Sequence, residues 1–197
     1  MSTIALPDFL EDPTSFSLQL ETNQRVDASP FGGSEQVIDL LNDRWSASTS
    51  IPPRTHGDAA DVEAWIASMR GKTNVVNMYH LQRPEPRGNM RGTPVTPGCA
   101  PRVRVLTVVG DPGFTLRAGD MIGAAGLLLM VERDCKADGS GTCVVPLVNR
   151  VRRTIPLGSA VIWDRPTAPF RLISTSPVQY VGGYSPEISF DFVEAIV

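Results

Sequence analysis

Proline or glycine interrupts this chain so often that one stretch alone is left long enough for a helix. Seventeen prolines and seventeen glycines fall among 197 residues, and both residue types punctuate helices. Val, Ile and Thr fill much of the remainder and favour strands. The exception is the segment 58–70. Asp58 is a candidate N-cap, and Asp61 adds negative charge to the same turn. Val62, Trp65, Ile66 and Met69 fall at i, i+3, i+4 and i+7, one apolar stripe. Arg70 complements the C-terminal dipole, and Gly71 suits the left-handed closing position. The spacing predicts one helix over 58–70 in an otherwise β-rich chain.

The strands are read from alternation. Ser15 to Leu20 alternates polar and apolar residues, the period of a half-buried strand. Residues 23–26 follow, then the breaker Ser29-Pro30-Phe31-Gly32-Gly33. Segments 34–40 and 44–49 read as two more strands joined by a turn at Leu41-Asn42-Asp43, and 75–79 as another. Residues 83–94 have no apolar period and much Pro and Gly, which suits a connection leaving one β-unit for another. From Ala100 onward strand and turn alternate. Asp138-Gly139-Ser140-Gly141 signals a tight turn between strands, and Pro146 an edge or a bulge. In the last strand Phe190, Phe192 and either Ala195 or Ile196 are expected to face inward.

A composition of 42% hydrophobic and 20% charged residues is that of a globular protein, and a formal charge of -3 disfavours non-specific binding to nucleic acid. The start of the chain lacks the basic and apolar regions of a secretory signal, and no apolar run is long enough for a membrane. The expectation is a soluble protein made in the cytoplasm. Three cysteines, Cys99, Cys135 and Cys143, argue against a disulfide framework. Cys135 and Cys143 flank a turn. Two reduced thiols on neighbouring strands are expected there, with a bond across a hairpin as the alternative.

No catalytic constellation stands out. His56 and His80 read as surface or capping residues, and there is no Gly-x-Ser-x-Gly elbow. The Cys and His residues lack paired zinc spacing, and Asp134 with Asp138 suits a plain turn better than a calcium loop. Asp58, Asp61 and Glu63 are explained as helix-start residues. No catalytic, cofactor or metal ligand is assigned. The electrostatic oddity is Arg83, Arg87 and Arg91, with Arg102 and Arg104 beyond them. These are candidates to contact a neighbouring subunit or passing DNA, with a solvated loop as the plain alternative. Trp45 and Trp163 are candidate interface anchors, while Trp65 belongs to the helix stripe.

Taken in order, these features resemble a known family. A strand pair precedes Arg44-Trp45. A Pro-Pro break follows, then the helix running from Asp61 through Met69-Arg70-Gly71 to Asn74 and a strand. This is similar to tail proteins of tailed phages, notably the distal-tail-like baseplate proteins, with Met69 in place of a leucine. Leu116-Arg117-Ala118-Gly119-Asp120, the turn 138–141, Pro146-Leu147 and Phe170-Arg171-Leu172 extend the likeness over about two-thirds of the chain. The resemblance implies a mainly β protein, a β-sandwich with one flanking helix similar to the tail-tube fold. It implies a first part at 1–92, an inserted β-module at 93–166, and C-terminal strands at 167–197 that return to the sandwich. It also implies a non-enzymatic structural protein without cofactor, in a homo-oligomeric ring of six-fold symmetry in the virion tail. The ring would join the tail tube to hub, tip or fibre proteins, with DNA passing transiently through the lumen and no membrane partner.

Two readings from other classes stay open at this point. One is a carbohydrate- or receptor-binding β-sandwich, against which stands an aromatic content of only 7%. The other is a small glycan hydrolase using dispersed carboxylates such as Asp58, Asp134 and Asp138.

Overall fold

The computed structural model of the chain describes residues 2–28, 32–33, 35–40 and 43–196. Strand accounts for 43% and helix for 8%, so the protein is mainly β, with several sheets and one α-helix in a sandwich-like arrangement. The first elements are β1 (Thr3–Ile4), β2 (Ser15–Glu21), β3 (Gln24–Ala28), β4 (Glu35–Asp39), β5 (Arg44–Ile51), α1 (His56–Ser68) and β6 (Val75–Met78). Next come β7 (Val95–Thr96), β8 (Val105–Val109), β9 (Thr115–Leu116), β10 (Met121–Ala124), β11 (Leu127–Met130) and β12 (Cys135–Lys136). The last are β13 (Thr142–Pro146), β14 (Ser159–Ile162), β15 (Ala168–Thr175) and β16 (Ile188–Glu194).

The chain divides into two compact units. The first comprises Met1–Gln19, Trp45–Glu85 and Trp163–Val197, and the second Leu20–Arg44 and Pro86–Ile162. The second unit thus begins a few residues before the expected module boundary at 93, and it also takes in the β3–β4 segment.

The first unit is built on a six-stranded sheet in the order β1-β6-β15-β16-β5-β2. The short β1 runs parallel to β6, whereas the β6–β15, β15–β16 and β16–β5 pairs are antiparallel. One face of this sheet is buried. Trp45, Ala47, Thr49 and Ile51 alternate inward along β5, as do Ile188, Phe190, Phe192 and Glu194 along β16. The helix covers that face with Ala59, Val62 and Met69. Its half-buried Trp65 meets the Phe190 ring at 6.1 Å and the Phe192 ring at 6.4 Å, and Phe9 at 5.6 Å completes the cluster. Such edge and offset contacts add to the area these rings bury.

The helix differs at both ends from the expected 58–70. Its N-cap is Thr55, whose Oγ1 accepts the Asp58 N–H at 3.3 Å and donates to Asp58 Oδ2 at 2.9 Å. Asp58 is therefore the third residue of the helix, tied to the cap through its N–H and its carboxylate, rather than the cap itself. At the other end Arg70 lies beyond the helix and takes φ +47, followed by Gly71 at φ +63. Arg70 begins the left-handed exit instead of closing the last turn. The expectation missed this because a positive φ at a non-glycine residue leaves no trace in the sequence pattern.

The second unit carries a six-stranded sheet in the order β11-β10-β14-β7-β8-β13. Its outermost strands meet. Val131 bridges Leu147, and the N–H groups of Glu132 and Val148 donate to Pro146 and Met130 at 2.9 Å. The sheet closes at that end as a small barrel, which removes the exposed edge there. Leu106, Val108, Ile122, Leu129, Val145 and Val161 fill it. Gly141 (φ +80) backs onto the Gly110 carbonyl, where a Cβ has no room.

Segments 34–40 and 44–49 read from the sequence as two strands joined by a turn, and in the structure they do not pair with each other. Instead β4 pairs with β3, from Gln24↔Asp39 to Ala28↔Glu35, as a two-stranded ribbon. The turn expected at 41–43 falls partly, and the breaker at 29–33 mostly, outside the described residues. The turn at 138–141 is present, but β12 pairs with β9 and β13 with β8, so it joins two different sheets. Turn chemistry names the turn and not the partner strands. In β16 the choice between Ala195 and Ile196 falls to Ala195, which is buried while Ile196 is exposed.

Phe190→Ala removes a fully buried ring at the centre of the aromatic cluster and is expected to cost about 3–5 kcal/mol in urea unfolding. Ile173→Ala, at a residue 45% exposed on the same sheet, is expected to cost roughly 0.5 kcal/mol or less.

Candidate assembly surface

The arginine-rich connection is held by one buried carboxylate. Asp120 is 3% exposed. It accepts the backbone N–H groups of Arg87 at 2.9 Å, Gly88 at 3.1 Å and Arg117 at 2.8 Å. The Arg87 guanidinium adds an ion pair at 3.5 Å and donates to the Ala118 carbonyl. Three oriented N–H groups and a cation satisfy a charge that burial would otherwise penalise heavily. Gly88 runs so close to the Thr115 carbonyl that no side chain fits. Asn89 exchanges hydrogen bonds with Thr115, its N–H donating to Oγ1 and its Oδ1 accepting the Thr115 N–H. Residues 87–89 are therefore clamped to the barrel.

The five candidate arginines have local roles. Arg83 belongs to the first unit, and its Nε donates to His80 Nε2 at 3.1 Å. In the second unit Arg91 caps the Gly88 and Met90 carbonyls at 3.2 and 2.7 Å. Arg104 stands 3.9 Å from Asp39 of the ribbon, which Arg150 holds more closely at 2.8 Å. The exposed Arg102 turns the chain at φ +73, its N–H donating to Val151 at 2.6 Å. Trp45 is 1% exposed and lies in the core of the first unit, so the interface role expected for it does not fit its burial. Its indole sits at an inward position of β5, which alternation would have shown. Trp163 is half-buried and retains some surface.

The residues weighed for chemistry are engaged locally. Asp138 Oδ1 accepts from Ser140 N–H, Ser140 Oγ and Thr142 N–H at 2.6–2.9 Å, which draws its carboxyl below the usual range and locks the turn. Asp134 accepts the Ala118 N–H at 2.8 Å. His56 contacts the Val181 carbonyl at 2.9 Å. A cleft of about 270 Å³ is lined by Thr115, Leu116, Arg117, Asp134, Cys135 and Lys136. Burial pushes the Cys135 thiol up, and burial, with a hydrogen bond to Cys135, pushes its neighbour Cys143 up to about 12. Both are free and stay protonated at neutral pH, which makes them poor nucleophiles. Among the described residues no cluster of three or more His, Cys, Asp or Glu is arranged for a metal, and no helix is long and apolar enough to cross a membrane. Tyr180 and Tyr184 are the exposed aromatics among the described residues, and they sit on one loop rather than along a strand.

The outward faces carry the more telling chemistry. In the first unit the face opposite the helix presents Ser15, Ser17, Ser46, Ser48, Ser50 and Ser189, with Asp191. Ser48 donates to Asp191 at 2.8 Å, and Ser50 meets Ser189 at 3.0 Å across the strands. In the second unit the barrel exterior presents Val95, Val105, Val109, Val144 and Ile162, each 36–61% exposed. Charge is also divided along the chain. Residues 86–162 hold ten Lys and Arg against five Asp and Glu, and the remainder eight against sixteen. No protein-family model matches the chain, and no curated protein matches it.

Asp120→Ala leaves three backbone donors and Arg87 without their acceptor, and urea unfolding should show a loss of about 3–5 kcal/mol. Arg87→Ala, at a side chain 59% exposed, should cost about 1 kcal/mol or less.

His80 gives a pH signature. Burial, and next the Arg83 charge, lower its pKa from 6.5 to about 4, and it packs 5.1 Å from Phe16. Between those two pH values the unfolded chain binds the proton and the folded chain does not. Stability is therefore complete above pH ~6.5 and declines as pH falls towards 4, by about 3 kcal/mol. Unfolding measured across that range should show the decline, and His80→Phe should flatten it.

Proposed function

We propose that this protein is a structural ring component of a tailed-phage tail, of the distal-tail type, whose activity is assembly. The supporting observation is the hydroxyl-lined face of the first sheet. That sheet is open, ending in β1 on one side and β2 on the other, and unpaired strand edges are templates for pairing with further chains. Its outward face carries serines and Asp191, and β2, β16 and residues 45–51 of β5 contain no lysine or arginine. Such a face stays wetted, and hydroxyls dominate it; its cations are Arg171 of β15 and Arg44 at the start of β5, the latter paired with Glu21 at 3.6 Å. It suits a channel wall past which DNA slides. The resemblance carried by Trp45, the helix ending at Met69-Arg70-Gly71 and the strand after Asn74 points the same way.

In this reading copies associate head to tail through two different patches, and the rotation between them closes the ring. Six-fold symmetry and a serine-lined sheet facing the channel complete the arrangement. The partners are the tail tube and the hub, tip or fibre proteins.

Electron microscopy and mass measurement of the purified protein, alone and mixed with tail-tube subunits, test this. Closed rings with a central channel are expected. A chain that stays monomeric under both conditions overturns the reading.

A further inference from the structure

Two of the three cysteines meet across the turn at 138–141. Cys143 is 2% exposed and faces into the barrel from β13, while Cys135 is half-buried on β12. Their thiols share a hydrogen bond. Cys135 also lines the cleft of about 270 Å³, so one sulfur of the pair is open to a small solute and the other is sealed in the core.

Both thiols sit on anchored backbone. Cys135 pairs with Leu116 of β9, and the Ala137 N–H donates to the Phe114 carbonyl at 2.8 Å. Cys143 pairs with Val108 of β8, in a ladder that runs from Thr142 to Pro146. Between the two, the Asp138 N–H donates to the Thr142 carbonyl at 2.9 Å, and the Asp138 carboxylate accepts the Thr142 N–H at 2.9 Å. A disulfide tolerates little misalignment, and sulfurs already in contact on fixed strands need only a small shift to bond.

We propose that Cys135 and Cys143 form a reversible disulfide that staples the β9–β12 ribbon to the barrel. The proposal concerns the second unit alone and stands independently of the ring reading. Thr115 of β9 exchanges hydrogen bonds with Asn89, and Gly88 runs against the Thr115 carbonyl. A bond from β12 to β13 therefore fixes the base on which the 87–89 connection rests.

The oxidant is a peroxide that enters the cleft. The Cys135 sulfur attacks one peroxide oxygen, an S–O bond forms and the O–O bond breaks. The departing hydroxide takes the thiol proton and leaves as water. The Cys143 sulfur then attacks the Cys135 sulfur. The S–S bond forms, the S–O bond breaks, and the second hydroxide leaves with the Cys143 proton. The two thiols lose two electrons, and the peroxide becomes two waters. A dithiol reverses the bond by exchange. The thiolate is the reactive form and both thiols are protonated at neutral pH, so the step should quicken about tenfold between pH 7 and 8.

Exposure of the full chain to hydrogen peroxide, then alkylation in urea and peptide mass mapping, tests the bond. Cleavage after Arg133 and Lys136 places the two cysteines on separate peptides. The expected product has lost two hydrogens, joins those peptides and carries its alkyl group at Cys99. Melting should rise by about 5 °C on oxidation and return after dithiothreitol. Cys135→Ser, at the half-buried position, should show no rise under the same treatment, which separates the staple from oxidation of methionine. Alkylation of all three cysteines after peroxide, or sulfinic acid at Cys135 without the link, overturns the proposal. So does a disulfide between chains in place of the internal one. A link that leaves melting unchanged overturns the staple. None of these outcomes bears on ring formation, which microscopy of the reduced protein reads separately.

Discussion

Each sheet here has one face to bury, and the period of two along a strand makes the other face a surface. In the first unit the inward set is Trp45, Phe170, Phe190 and Phe192, all at most 1% exposed, with the helix laid over it. The outward set is serine along β5 and Ser189 with Asp191 along β16, while β15 places Arg171 there. In the second unit the inward set is aliphatic, and the outward set is valine instead of serine. Two structures of the same periodicity therefore present opposite surfaces, one that stays in water and one that shelters from it. The functional reading grows from that contrast more than from any single side chain.

Buried carboxylates hold the irregular parts in place. Asp120 gathers three backbone N–H groups and Arg87, and so converts a proline- and glycine-rich connection into a fixed part of the barrel wall. Glu194 is 2% exposed and accepts the Trp45 N–H at 3.1 Å, pinning the start of one strand to the end of another. Neither acid suggests reaction chemistry. Each satisfies backbone donors that would otherwise be stranded by burial.

Much of the fold was legible in residue order. The stripe Val62-Trp65-Ile66-Met69 placed the helix, and alternation placed β2, β5 and β16. Glu194 was legible too, since it continues the inward phase of Phe190 and Phe192, but its charge disguised it as a surface residue. The shift of the N-cap to Thr55 was hidden because Thr55 and Asp58 are both good caps, and only the backbone geometry selects between them. The pairing of β3 with β4, and of β12 with β9, could not be read because strand partners are set by long-range packing. The arginines from 83 to 104 looked like one basic surface. In three dimensions most are spent on local carbonyls, His80, Asp39 and Asp120.

The sequence by itself determined that this chain is mainly β with one helix and where that helix lies. Breaker spacing and hydrophobic period act over a few residues and need no distant partner. Tertiary structure alone decided which strands pair and that the second sheet closes on itself between Val131 and Leu147. It also decided that valines scattered from position 95 to 162 meet on one exterior face. Those outcomes depend on contacts between residues far apart in the chain, whose cost in loop closure and gain in burial are settled only when the whole unit packs.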